Sequence, residues 1–141
     1  MSWPNSKCVL IPVDFSDLSY EAIAPALEYV GDASCLRLIH VLAPLHPAAP
    51  AAMWNTLSDD DRKQKVRQFL HEKLAEMGQS DIQLEVLVGD PSTKIVDYAK
   101  ETGTDLIVMP SHGRKGVSRF LLGSVSERVV RLAHCPVLIL K

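Results

Sequence analysis

The chain has 141 residues, of which 47% are hydrophobic and 23% charged, and a formal net charge of −2. That size suits a single domain over residues 1–141 with one core. The balanced charge, without blocks of one sign, argues against a general affinity for nucleic acid or acidic membranes. No apolar run approaches the roughly 20 residues that cross a bilayer, and Met1-Ser2-Trp3-Pro4-Asn5-Ser6-Lys7 lacks the layout of a signal peptide. Cys8, Cys35 and Cys135 have no paired spacing, so neither a disulfide framework nor a metal site is expected; they read as reduced thiols of a cytoplasmic protein.

Residues 8–13 form a short, continuous, β-branched run, the pattern of a strand buried on both faces. Ser16 or Asp17 is then placed to cap a helix over about residues 18–30 that stops near Gly31, with a kink expected at Pro25. Residues 35–41 predict a second strand. The proline-rich stretch from Ala43 to Pro50 suits no regular element, and Met53 and Trp54 beyond it could close over a ligand, meet another subunit or pack on the domain itself.

Ser58 and three following aspartates predict a helix start, and Val66, Phe69, Leu70, Leu74 and Met77 predict its apolar stripe, with Gly78 as the stop. Residues 82–88 alternate before turning apolar, as in a strand near a sheet edge. Asp90-Pro91 predicts an N-cap and first helical residue, the helix turning Ile95, Val96 and Ala99 inward and ending at Gly103. Residues 105–109 predict a fourth strand. A helix carrying Val125, Val129 and Leu132 on one face follows, and residues 135–140 close the chain as a fifth strand.

This alternation calls for an α/β fold: one doubly wound, five-stranded, mostly parallel sheet with helices on both faces. Ligands of such sheets bind beyond the carboxyl ends of the strands, where the strand order reverses. The most informative loop there runs from Pro110 to Ser124. Gly113, Gly116 and Gly123 allow close backbone approach, Gly123-Ser124 opens a helix suited to an anion, and Arg114, Lys115 and Arg119 add positive charge. The loop is neither a Walker A motif nor a dinucleotide fingerprint. By composition alone it is a phosphate site or a structural loop in equal measure.

Ser111-His112-Gly113-Arg114, Gly123-Ser124-Val125, Cys135-Pro136-Val137-Leu138 and Pro12-Val13-Asp14-Phe15-Ser16 together resemble the universal stress protein family over essentially the whole chain. The resemblance implies a Rossmann-like fold of the adenine nucleotide alpha hydrolase type and a site for ATP, with any Mg²⁺ held mostly by the phosphates. ATP-binding members carry Gly, two residues, Gly, nine residues, then Gly with Ser or Thr. Gly113 and Gly123-Ser124 satisfy the second part, while Pro110 replaces the first glycine and alters any backbone contact on the ribose side.

Carried over residue by residue, the resemblance implies nucleotide contacts at Pro12, Asp14, Val41 and Met109, with Gly113, Gly123, Ser124 and Val125 near the phosphates. Asp14 accepts from ribose or base, or caps the local turn. Arg114 and Lys115 clamp phosphates or are solvated loop charges. His112 has no readable catalytic partner, and no catalytic or metal residues are expected. The family also implies a homodimer paired through the apolar C-terminal strand. Two functions follow: a cytoplasmic ATP-binding regulatory or stress-response module with slow or no hydrolysis, or a dimeric protein of the same fold that acts on a protein partner without a working nucleotide site.

Overall fold

The computed structural model describes residues 8–45, 58–111 and 122–141. Five strands, β1 (Val9–Pro12), β2 (Leu36–Leu42), β3 (Gln83–Val88), β4 (Leu106–Pro110) and β5 (Val137–Leu140), form one sheet in the order β3-β2-β1-β4-β5. Every ladder is parallel, so the sheet expected to be mostly parallel is parallel throughout. The helices are α1 (Asp17–Glu21), α2 (Ile23–Val30), α3 (Asp59–Glu76), α4 (Pro91–Glu101) and α5 (Ser124–Leu132).

The two-residue period of a strand divides the apolar residues between two cores. On one face Val9, Ile11 and Val13 of the central strand and its exit meet Tyr20, Ile23 and Ala26 of α1 and α2, and Leu70 and Leu74 of α3. Leu10 turns to the other face, where Ile39, Ile107 and Met109 meet Ile95 and Ala99 of α4 and Val129 of α5. Both faces are therefore covered, which is why β1 and β4 read as unbroken apolar runs.

The helix starts follow their expected caps. Ser16 accepts from the Ser19 amide at α1, Ser58 and Asp61 form a reciprocal capping box at α3, and Asp90 accepts from Thr93 at α4 with Pro91 in the first turn. Hydrogen bonds from Thr93 and Ser92 hold the Asp90 carboxyl below its usual pKa. At Pro25 the expectation needs correction. The helical run breaks at Ala22, three residues earlier, and Pro25 falls in the first turn of α2, where an N–H has no acceptor within its own helix. The helical ladder resumes with Ala26 N donating to Ala22 O (3.2 Å).

Two members of the expected stripe on α3 also differ. Leu70 and Leu74 are buried, whereas Phe69 is 53% exposed and Met77 is also exposed. Cys35 lies in a 3-10 turn, Ala33–Cys35, ahead of β2, and all three cysteines are free and half-buried.

Candidate functional site

The β1–β4 register runs through Leu10 opposite Ile107. Beyond it the chain leaves β1 for one face of the sheet and β4 for the other, because α1 and α5 belong to different cores. A crevice opens at such a switch point. Residues 12–16 follow β1 on one side of this point, and residues 110–111 with the start of α5 follow β4 on the other.

The β1 side is a tightly bonded turn. The Asp14 carboxylate accepts from the Ser16 amide (3.0 Å) and from the Ser16 hydroxyl. Ser19 Oγ accepts from the Asp14 amide (3.3 Å) and donates to the Ser16 carbonyl (2.8 Å). Asp14 thus shapes the turn, while Ser16 caps α1. Between them Phe15 adopts φ 68°, a left-handed conformation that side chains other than glycine rarely take. Its ring packs on His40 (centroids 4.2 Å apart) and edge-on against Phe69 (5.6 Å).

His40 lies near the carboxyl end of β2 and is buried. Its Nδ1 donates to the Val13 carbonyl (2.7 Å), while Val13 N donates to the Ile39 carbonyl (2.8 Å). Burial lowers the imidazole pKa, offset only in part by the Val13 carbonyl and Asp14. The unfolded chain, with an ordinary value near about 6.5, therefore binds the proton first. Stability contributed by neutral His40 is complete above that value and is lost as pH falls from it toward the lowered folded pKa. Urea midpoints measured from pH 7.5 down to pH 5 should show this loss, and His40→Asn should remove its share; an unchanged pH slope in that variant would contradict the assignment.

On the β4 side, Pro110 is buried and its Cα pairs with Leu140. The amides of Ile107 and Ser111 donate across to Pro136 O and Leu140 O of the β5 segment, both at 3.0 Å. Backbone alternation then turns the Pro110 nitrogen toward β1, past the end of the β1–β4 register. Proline there has no N–H with which to extend the β1–β4 ladder toward Pro12, and it offers no donor to a ligand at the strand ends. Two bonds join the start of α5 to this strand end: Gly123 N to Ser111 O (2.7 Å) and Ser126 Oγ to Pro110 O (2.9 Å).

The helices that follow β1, β2 and β3 begin at Ser16, Ser58 and Asp90, each of which caps with its side chain. Helix α5, which follows β4, begins at Gly123 (φ −64°, ψ 160°) without a side-chain cap. Its first-turn amides and the positive end of its dipole suit an anion. Ser124 is its first residue and is exposed, and Val125 packs toward the second core.

The structure places Pro12 and Asp14 at the end of β1, and Gly123, Ser124 and Val125 at the start of α5, which is bonded to the end of β4. Val41 is half-buried against the second core, and the Met109 side chain, 4% exposed, is committed to that core. Gly113, Arg114 and Lys115 lie outside the described residues, as do His112, Met53 and Trp54. Sequence alone assigns no site role to His40, Phe15 or Ser19. A histidine interrupting an apolar strand near its carboxyl end was the available signal for the first; the others needed three-dimensional partners. Among the described residues no group of three or more His, Cys, Asp or Glu could hold a metal ion, and no helix is long and apolar enough to cross a membrane.

The sequence pattern of the universal stress protein family matches residues 5–141. The universal stress protein MJ0531 of Methanocaldococcus jannaschii is 34% identical over 142 residues, covering 96% of this chain and 82% of that protein. The structure of MJ0577 from the same organism superposes with TM-score 0.78 at 27% identity, covering 96% of each chain. A universal stress protein crystallised in complex with cAMP superposes with TM-score 0.65 at 26% identity, covering 96% of this chain and 97% of that one.

Proposed function

We propose that this chain, which belongs to the universal stress protein family, binds an adenine nucleotide between the ends of β1 and β4, as a cytoplasmic regulatory or stress-response module. The observation that carries this reading is the start of α5. It is a helix N-terminus closed by glycine, held to the end of β4 by Gly123 and Ser126, and set across the switch point from the Asp14 turn. Phosphates fit the α5 amides and the Ser124 hydroxyl, and the ribose fits the Asp14 side. The related protein that holds cAMP supports an adenine nucleotide as the ligand class. ATP is the form we favour, on the spacing of Gly113 and Gly123-Ser124, with Mg²⁺ carried by its phosphates. We assign no hydrolytic residues, and turnover is expected to be slow or absent.

Calorimetric titration with ATP and Mg²⁺, with AMP and cAMP alongside, tests the reading. Binding is expected, and at about 100 times Kd the ligand should stabilise the fold by about 2.7 kcal/mol. Absence of both heat and thermal stabilisation at millimolar nucleotide would sink it. The second reading, a dimer acting on a protein partner, is favoured by one observation: β5 ends the described sheet and leaves Leu138 47% exposed. A dimer in solution that binds none of the three nucleotides would select it.

A further inference from the structure

We infer that His40 is a positioning residue of the nucleotide site, holding the Asp14 turn in its binding shape by donating from Nδ1 to the Val13 carbonyl. The inference rests on the site proposed above and assigns it a residue with no place in the glycine-rich pattern.

The left-handed conformation of Phe15 is one that a phenylalanine abandons unless its surroundings impose it. Local bonds within residues 14–19 close the turn on itself, but a turn closed on itself can still swing as a unit. Something outside it must fix its base and its tip. His40, which reaches the turn from β2, does both. Its Nδ1 pins the carbonyl of the residue before Asp14 at 2.7 Å, and its ring lies against Phe15 at 4.2 Å between centroids. Phe69 supports Phe15 from its edge.

The Val13 side chain is at the same time anchored in the first core, and the Val13 amide in the β2 ladder direction. The carbonyl belongs to the peptide that joins this anchored residue to the movable one after it. Without the imidazole donor the buried carbonyl must seek another partner, and rotating the peptide that joins Val13 to Asp14 is the motion available. That rotation carries the Asp14 carboxylate away from the position set by Ser16. His40 touches the ligand nowhere in this scheme; it acts through Asp14.

Three measurements test the assignment. Nitrogen NMR of the unmodified protein at pH 8 should show His40 as the Nδ1–H tautomer; an Nε2–H tautomer, whose Nδ1 cannot donate, overturns the proposal without any variant. His40→Asn keeps a donor near the Nδ1 position, and His40→Leu keeps bulk without a donor. For ATP with Mg²⁺, the Asn variant should bind within about threefold of the native protein, and the Leu variant at least about tenfold more weakly. Equal loss in both variants, or no loss in Leu, overturns it. Amide exchange at Ser16, whose N–H is held by Asp14, should quicken in the Leu variant and not in Asn. If native protein binds no nucleotide, the site reading fails, and the positioning role of His40 is judged on the tautomer and on Ser16 exchange alone.

Discussion

Ser124→Asp should weaken nucleotide binding severely while leaving the fold as stable as the native protein or slightly more so. Ser124 is exposed at the first position of α5, and no side chain caps that helix. A carboxylate there meets the positive end of the helix dipole and adds about 0.3–1 kcal/mol of stability. The same carboxylate would stand where the proposed site takes phosphate. Two like charges about 4 Å apart repel by about 4 kcal/mol at an effective dielectric of 20, a loss of affinity on the order of 100- to 1,000-fold after screening. Ser124→Ala, which removes the hydroxyl but keeps the amides, should weaken binding by about tenfold or less. Titration calorimetry and thermal melts on the same three proteins separate the two effects. Native-like affinity in Ser124→Asp would remove α5 from the site.

Leu70→Ala and Phe69→Ala, neighbours on α3, should differ sharply in stability. Leu70 is 0% exposed among the side chains of the first core, while Phe69 is 53% exposed. Truncating Leu70 removes a fully buried side chain and leaves a void against close-packed neighbours, at a cost of about 3 kcal/mol. Phe69 loses its edge-on contact with Phe15 and little burial, at a cost of about 1 kcal/mol. Urea denaturation with a common m-value measures both. The reverse order would mean that α3 is rotated about its axis from the position described.

That second contrast marks where the sequence stops being informative. Both residues belong to one apolar stripe at spacings of three and four, and nothing in the stripe says which member the sheet covers. The stripe is wider than the contact, because α3 meets a sheet on one side only. Pro25 teaches the same lesson at shorter range. The sequence marks a disruption of the helix, but its position depends on whether the backbone bends at the proline or stops before it. Stopping at Ala22 puts the missing donor in a first turn, where it is harmless.

The candidate site divides along the same line. The sequence by itself determined the alternation of strands and helices, three of the helix caps, the parallel sheet with both faces covered, and the glycine start of α5. These depend on local spacing and on residue types whose preferences act over a few positions. Only the tertiary structure decided that Pro110 turns its nitrogen toward β1 where their ladder stops, that Met109 is committed to the second core, and that Ser126 holds the Pro110 carbonyl. It also decided the part played by His40, which reaches the turn at Val13 from 27 positions away. A hydrogen bond between distant residues leaves no periodicity in the chain. It exists only once the strands are laid side by side in their order and register.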